Sequence, residues 1–494
     1  MKKILFFLFL ISIFIHLHSQ VGVRYDPAPE QGKSVQYFKP SGERFVGDCI
    51  PFYHEGTYYL YWLLDSGHHH ALNGLGGHQW TLSTSNDLIN WKYYPIVIGT
   101  DEEWEKSICT GSVVYYKSKF YAFYATRLID NNGKVNEQLS YAVSNDGIHF
   151  DKQKPNPFYK SAPGYNQRNF RDPKVFVDSS GNFHLFVSSA TENDSMNLGE
   201  TGALVHLVSK DLKQWEILKP IITNQTDVPE CPDYFKWNDW YYIVYGQGGD
   251  TYYLKSKKQY GPWQYPKSQV LKEEWSNVVK IAAFKNNRRI SAGWIPSRHD
   301  NKDDGGEIFG GNALLRELTQ ENDGTLDSKF VPELIPATGN EVPLNPVMDD
   351  KTKIIGHNSY EINSPNGLAA IQVKDMPADC RITMTIEPEG ILRDYGVTVR
   401  STKTEDDGYS LNLSPNNKDV SLFNTKIQGL DFLDKAVTLD IILKGDIVDV
   451  CIGNKRCIVN RLIERKGNSV WLFVRHGKVR FKNVTIRPLI LSAN

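Results

Sequence analysis

Three acidic residues fall at equivalent places in a repeating sequence pattern. They are Asp48, Asp172 and Glu230. Each lies 10 or 11 residues before the first aromatic residue of a predicted strand. Cleavage of a glycosidic bond uses such groups, because a carboxylic acid must protonate the leaving oxygen while a carboxylate attacks the anomeric carbon or activates water. We therefore predict that they form one hydrolytic site, although each residue taken singly is more typical of a turn cap or an ion pair.

The repeat that carries these acids is a turn residue followed by a strand of aromatic and β-branched residues. It occurs five times, at 56–62, 118–124, 181–186, 238–245 and 287–294. A Ser-x-Asp turn with a returning aromatic residue follows at 85–91, 144–150 and 209–215. Five units of strand and turn at this spacing predict an all-β chain with a five-bladed β-propeller, the alternative being an irregular β-sandwich.

In a propeller, the strand before each turn lines a central channel. The equivalent positions in the second and fifth repeats are Cys109 and residues 277–279. Acids that come from different blades should therefore converge at one mouth of the channel, which is where we expect the site.

The repeat ends near Leu318, and four prolines between Pro332 and Pro346 indicate a connection. Beyond it, residues alternate at period two between turns, which is typical of a β-sandwich. We predict a signal peptide at 1–19, a propeller at 20–335, a linker at 336–349 and a β-sandwich at 350–494.

The N-terminus indicates export. Lys2 and Lys3 precede an apolar stretch that ends near Ser19, the pattern of a secretory signal peptide, with an uncleaved anchor as the alternative. We predict a secreted or periplasmic protein with no membrane span in the mature chain. The 56 basic and 57 acidic residues give a formal net charge of −1, which disfavours a nucleic-acid partner. The oligomeric state stays open.

Cysteines and histidines give weaker signals. The six cysteines form no C-x-x-C pair, and Cys451 and Cys457 flank a Gly-Asn turn that could place them opposite each other, either bonded or as buried thiols. His68 to His70 are consecutive, so on an extended chain they would point to alternate sides, which disfavours a metal site. We expect a sugar-contacting loop there, and we predict neither a metal nor a cofactor.

At the acidic positions the sequence resembles glycoside hydrolase family 32, the invertases, levanases and inulinases. Arg171-Asp172-Pro173 matches the family's Arg-Asp-Pro motif, and Glu230-Cys231 matches its Glu-Cys motif. Similarity also runs through 80–91, 110–112, 288–294 and 310–318. The resemblance implies a five-bladed propeller followed by a β-sandwich, in agreement with the repeat count.

The resemblance also implies roles. Asp48 would be the nucleophile, Glu230 the general acid/base and Asp172 the transition-state stabiliser, with Arg171 holding sugar hydroxyls. The nucleophile motif is divergent, because Phe45-Val46-Gly47-Asp48-Cys49-Ile50-Pro51 stands where the family has Trp-Met-Asn-Asp-Pro-Asn-Gly. The family also has a sugar-binding glutamine on the next strand, and Leu63 replaces it in this chain.

The leading hypothesis is a secreted, retaining β-fructofuranosidase acting on sucrose or on fructans such as levan and inulin, with an oligo- or polysaccharide as its partner. The alternatives are an inverting furanosidase or xylosidase similar to glycoside hydrolase family 43, and a carbohydrate-binding propeller without catalysis. Candidate substrate-binding residues, chosen from the motifs and from side chains that could face the channel, are Arg171, Trp80, Ser112, Cys231, His78 and Trp104. Trp275 is a further candidate for stacking on a sugar.

Overall fold

Four-stranded antiparallel sheets make up most of the N-terminal domain. The computed structural model describes residues 34–192 and 201–490, and the predicted signal peptide lies outside them. The first blade contains β1 (Arg44–His54), β2 (Thr57–Ser66), β3 (Gln79–Ser85) and β4 (Lys92–Ile98). A short helical turn, α1 (Ala71–Gly74), interrupts the connection between β2 and β3.

The next three blades repeat this order along the chain. The second has β5 (Ser107–Tyr116), β6 (Lys119–Ile129), β7 (Val135–Ser144) and β8 (Phe150–Lys152); the third has β9 (Arg171–Val177), β10 (Phe183–Thr191), β11 (Thr201–Ser209) and β12 (Glu216–Gln225); the fourth has β13 (Glu230–Trp237), β14 (Trp240–Gln247) and β15 (Asp250–Ser256). Each blade pairs its strands in sequence order.

The fifth blade closes the ring. It contains β16 (Asn277–Phe284), β17 (Arg288–Arg298), β18 (Glu307–Gln320) and β19 (Leu326–Lys329), with 3-10 turns at His299–Asn301 and Pro332–Leu334. Strand β18 pairs with β1 through Gly311 and Val46. The first strands of neighbouring blades contact one another around the ring, including β1 with β16. The five sequence repeats thus coincide with the second strand of each blade.

The Ser-x-Asp turns end the third strands for a local reason. Ser85 Oγ accepts the N–H of Leu88 at 2.8 Å, and Asp87 Oδ1 accepts the N–H groups of Ile89 and Asn90 at 2.9 and 2.8 Å. Hydrogen bonds from Asn90 lower the pKa of Asp87 to about 2. The turns that begin at Ser144 and Ser209 repeat these bonds.

The C-terminal domain is the predicted β-sandwich. Its strands are β20 (Pro346–Val347), β21 (Thr352–Gly356), β22 (Ser359–Val373), β23 (Cys380–Glu389), β24 (Asp394–Ser401), β25 (Tyr409–Ser414), β26 (Asp419–Leu422), β27 (Thr425–Gln428), β28 (Val437–Lys444), β29 (Ile447–Ile452), β30 (Arg456–Arg461) and β31 (Ser469–Pro488). The long strand β31 pairs with β22, β23 and β24 and so links the two layers around one apolar core. The exact domain boundaries remain a prediction.

The cysteine hairpin is present with both thiols free. Cys451 and Cys457 face each other across β29 and β30. All six cysteines are buried and unbonded. In the part of the chain that the structure describes, no helix combines the length and apolar character that a membrane crossing requires.

Candidate active site

All five inner strands bulge at the same place, and these bulges build the site. In each blade two residues of the first strand oppose a single residue of the second. A β-bulge of this kind re-aims side chains and is common beside active sites. The bulged pairs are Gly47-Asp48, Cys109-Thr110, Asp172-Pro173, Cys231-Pro232 and Val278-Val279. The acids lie at or beside these bulges but not at one equivalent position, because Asp48 is the second residue of its bulge, Asp172 is the first, and Glu230 directly precedes its bulge. The equivalence predicted from the sequence therefore holds to within two residues.

Asp48 is a buried carboxylate held at both oxygens. Trp294 Nε1 donates to Oδ1 at 3.1 Å, and the hydroxyl of Thr110 donates to Oδ2. These donors come from the fifth and second blades, so neighbouring blades fix the orientation of the carboxylate. Both residues belong to stretches that carried the family resemblance, but sequence reasoning assigned them no role.

Asp172 and Cys231 form the centre of the site. The backbone N–H of Cys231 donates to Asp172 Oδ2 at 3.0 Å. The Cys231 thiol lies 3.4 Å from Asp172 Oδ2 and 3.6 Å from Asp48 Oδ2, and it thus bridges two of the acids. Burial raises the pKa of Asp172 to about 7, and the negative charges of Glu230 and Glu137 add to this effect against the opposing charge of Arg171.

Glu230 is the accessible member of the group. Its side chain is 48% exposed, against 5% for Asp172, so it can meet a leaving group from solvent. Arg171 Nη2 donates to Glu230 Oε1 at 2.6 Å, and Arg171 Nη1 donates to Asn169 Oδ1 at 2.6 Å. Arg171 therefore links Glu230 to Asn169 at the rim of the pocket.

Sequence reasoning missed an ion-pair network that involves strands β6 and β7 of the second blade. Glu137 lies 3.4 Å from Arg171 Nη1 and accepts two hydrogen bonds from Arg127, at 2.9 and 3.2 Å. Arg127 and Glu137 are register partners on β6 and β7. This network had little signal in the sequence, because neither residue occupies the repeat position used to locate the acids.

A second missed residue, Lys280, lies below the acids. Its ammonium is buried and donates to the carbonyl oxygens of Gly111 and Pro232, at 2.9 and 3.2 Å. Burial lowers its pKa. It joins the inner strands of the second, fourth and fifth blades under the site.

One pocket of about 640 Å³ contains the three acids together with Arg171, Arg127 and Glu137. Among the predicted site residues, it is lined by Asp48, Asp172, Glu230, Arg171, Cys231 and His78. The roles implied for them stay predictions. The structure shows that the chain brings all six to one cavity.

Two predicted substrate-binding residues lie outside this pocket. Trp80 is fully buried in the core and donates its indole N–H to the carbonyl of Cys109 at 2.9 Å, so no ring face is open to a sugar. Ser112 is buried too; it donates to Pro173 O and accepts the N–H of Val175, both at 2.7 Å. The structure argues against contact of either side chain with substrate, because the side chains that alternate away from the channel pack between blades.

The other two tryptophans are also absent from the pocket lining. Trp104 donates its indole N–H to Glu102, two residues earlier on the loop before β5, at 2.8 Å, and does not line the pocket. Trp275 is buried, and the guanidinium of Arg298 lies 3.7 Å from the centre of its ring. Neither presents a stacking face to the channel, and Trp294 is the tryptophan that lines the pocket.

The divergent nucleophile motif has a structural counterpart in an aromatic wall. Phe309 covers the backbone of Gly47, where an added Cβ would lie 2.9 Å from the Phe309 ring and 3.3 Å from the Cβ of Leu63. Phe309 also packs on Trp294, with ring centres 4.9 Å apart. The side of the pocket next to Asp48 is therefore apolar where the resemblance implied amide groups.

The histidine loop reaches the pocket, though in a different conformation from the extended one we expected. His68 and His69 have φ of 56° and 69°, in the left-handed region. His69 and His78 line the pocket, and their ring nitrogens and a carboxylate oxygen of Asp65 lie within 4.8 Å of one another. This set could bind a metal, but Arg127 Nη1 lies 3.1 Å from His69 Nε2 and opposes a second positive charge there.

Comparison with known proteins agrees with this arrangement. The model of the glycosyl hydrolases family 32 N-terminal domain matches residues 49–328. A sucrose-6-phosphate hydrolase of Escherichia coli is 26% identical over 292 residues, covering 53% of this chain and 59% of that protein. A levanbiose-producing levanase of Geobacillus stearothermophilus is 25% identical over 251 residues, covering 50% and 57%. The chain thus spans little more than half the length of these relatives.

Solved structures extend the likeness to both domains. Fructan 1-exohydrolase IIa from Cichorium intybus superposes with a TM-score of 0.69 at 16% identity, covering 93% of this chain and 97% of the other. This confirms the predicted fold class, a five-bladed propeller followed by a β-sandwich. With the family match over more than half its length, the chain belongs to glycosyl hydrolase family 32.

Proposed function

We propose that this protein is a secreted, retaining β-fructofuranosidase that hydrolyses sucrose or fructans. The observation that carries the proposal is the meeting of Asp48, Asp172 and Glu230, from three blades, in one pocket of about 640 Å³. The relatives named for sucrose-6-phosphate and levan support this substrate class. The apolar start of the chain supports export.

The proposed first step forms a covalent bond to Asp48. A carboxylate oxygen of Asp48 attacks the anomeric carbon while Glu230 delivers its proton to the glycosidic oxygen, and the leaving alcohol departs. Trp294 and Thr110 orient Asp48 for this attack. Since Glu230 Oε1 accepts a hydrogen bond from Arg171, the proton that Glu230 delivers is carried by its other oxygen, Oε2.

The second step restores the protein. Glu230 takes a proton from water, the resulting hydroxide attacks the anomeric carbon, and the bond to Asp48 breaks. Asp172 lies beside both reacting groups and, when ionised, stabilises the positive charge that develops on the sugar ring. Two displacements at one carbon leave the anomeric configuration unchanged.

The test is product analysis on sucrose, sucrose 6-phosphate, inulin, levan, arabinan and xylan. We expect fructose or fructo-oligosaccharides from one or more of the first four substrates. NMR of the first-formed anomer, recorded before mutarotation, should show retention. An inverted product would assign water activation to Asp48 and favour the inverting alternative. Binding without any turnover would favour the non-catalytic propeller. Detection of the protein in the exported fraction of its native cells tests secretion.

A further inference from the structure

A buried histidine–carboxylate pair adjoins the site and has no part in the steps above. Asp65 is fully buried, and its Oδ1 lies 3.1 Å from His78 Nε2. The same oxygen accepts the backbone N–H of His69 at 2.8 Å. The carboxylate therefore fixes both the ring of His78 and the start of the histidine loop.

This contact determines which nitrogen of His78 carries the proton. A carboxylate that accepts from Nε2 requires Nε2–H, so in the neutral ring Nδ1 keeps its lone pair. Nδ1 makes no hydrogen bond with the part of the chain that the structure describes, and His78 lines the pocket. His78 Nδ1 is thus a hydrogen-bond acceptor of fixed orientation on a residue that lines the pocket.

A chain of aromatic contacts links His78 to the nucleophile. Its ring stacks on Phe309 with centres 5.0 Å apart and planes at 21°. Phe309 packs in turn on Trp294, which bonds Asp48. On this side of the pocket, Leu63 and Phe309 supply apolar surface and Gly47 supplies no side chain.

A sugar ring bound against such a wall would leave its hydroxyl groups without partners, at a cost for each hydroxyl removed from water. We propose that His78 Nδ1 accepts a hydrogen bond from a hydroxyl of the furanose ring bound beside Asp48, and that Asp65 is the positioning residue that holds His78 in this tautomer. The inference rests on the proposed function. It assigns recognition of sugar hydroxyls on this side of the pocket to Asp65 and His78, which lie outside the family motifs identified in the sequence.

The first test compares H78L with H78Q, using the sugar of the panel that the wild type hydrolyses fastest. Loss of one hydrogen bond in a buried site should lower kcat/KM by about 10- to 100-fold in H78L. H78Q keeps an acceptor oxygen and should recover most of that loss. Calorimetry with fructose should show a matching loss of affinity in H78L. H149Q, at an exposed histidine on a turn between β7 and β8, is the matched control and should equal wild type.

The second test isolates Asp65. D65A removes the oxygen that accepts both the His78 Nε2–H and the His69 N–H, so the ring of His78 is no longer held in one tautomer. D65N keeps an acceptor oxygen at that place and is the matched control. Imidazole nitrogen NMR should show the Nε2–H tautomer in wild type and D65N, and a mixture of tautomers in D65A. Combined with H78L, D65A should add little further loss of kcat/KM, since both variants remove one interaction.

Separate outcomes overturn the inference and the function on which it rests. A wild type that hydrolyses no sugar of the panel overturns both. An active wild type with an unchanged H78L, or with an Nδ1–H tautomer, overturns the inference alone. A stoichiometric metal in the purified protein that disappears in H78L would also overturn it, by assigning Asp65, His69 and His78 to a metal instead.

Discussion

At Asp172 the chain combines backbone strain with a buried acid. Its φ of 52° lies in the left-handed region, which costs a non-glycine residue about 1–3 kcal/mol. The carboxyl is buried between Arg171 and the backbone N–H of Cys231. Strain that persists at such a position commonly marks a functional group.

The raised pKa of Asp172 predicts the acid limb of the pH–rate profile. Because the pKa is raised to about 7, the carboxyl is ionised above pH 7 and protonated below it. If the ionised form stabilises the transition state, kcat/KM should fall about tenfold per pH unit below 7. D172N should lose most activity and this limb together. A wild-type profile that stays flat from pH 7 to pH 5 would contradict the role.

Glu230 should matter most for substrates that need protonation of the leaving group. Removing a general acid typically costs 10²- to 10⁴-fold in rate. We expect E230Q to lose about that much kcat on sucrose, and much less on a fructoside with an acidic phenol as leaving group. Comparing the two substrates measures the effect. Equal losses on both would point to a binding role instead.

At the scale of elements, the inner strands hold the site because they are bonded to one another. Ser112, on β5, exchanges two hydrogen bonds with the segment 173–175 of β9. Lys280, on β16, bonds carbonyl groups of β5 and β13. These buried bonds fix the distances between the carboxylates that the separate blades supply.

Loss of the Ser112 hydroxyl should therefore destabilise the propeller. S112A leaves the N–H of Val175 and the carbonyl of Pro173 buried without this partner, at about 1–3 kcal/mol for each unsatisfied group. Urea unfolding followed by tryptophan fluorescence should show a lower midpoint. S180A, at an exposed turn position, should be unchanged. Normal stability with a higher KM for S112A would restore the substrate-binding role that the structure argues against.

At the scale of the whole molecule, a buried ion cluster joins the two domains. Arg316 of β18 bonds Asp449 of β29 at 2.6 and 2.7 Å and Glu273 at 2.9 Å. The hydroxyl of Tyr37 also donates to Asp449, at 2.6 Å. Apolar residues of both domains, including Ile295 and Ile447, surround the cluster. The β-sandwich therefore packs against and stabilises the fifth blade, which carries Trp294.

Breaking this cluster should weaken the whole protein. R316M leaves two buried carboxylates without their cation, and loss of one partner of a buried pair costs about 3–5 kcal/mol. We expect a lower thermal midpoint in R316M. R487M, which removes an exposed pair with Glu341, should cost about 1 kcal/mol or less. Similar midpoints for R316M and wild type would show that apolar contacts alone hold the interface.

The sequence by itself determined the blade repeat, the number of blades and, to within two residues, the equivalence of the acidic positions. These depend on local chemistry: a turn residue, a Ser-x-Asp motif and an alternating strand act over about ten residues. The motifs at Arg171-Asp172-Pro173 and Glu230-Cys231 added the family. The structure confirms the fold class and places Asp48, Asp172 and Glu230 in one pocket.

Only the tertiary structure decided which side chains reach that pocket. Trp80 and Ser112 belong to recognisable motifs, yet neighbouring blades cover them, whereas Glu137 and Phe309 line the pocket from positions that carry no repeat signal. Burial and orientation depend on residues that are distant along the chain but packed across blades. No local pattern encodes that packing, because each blade's environment is set by the blades beside it.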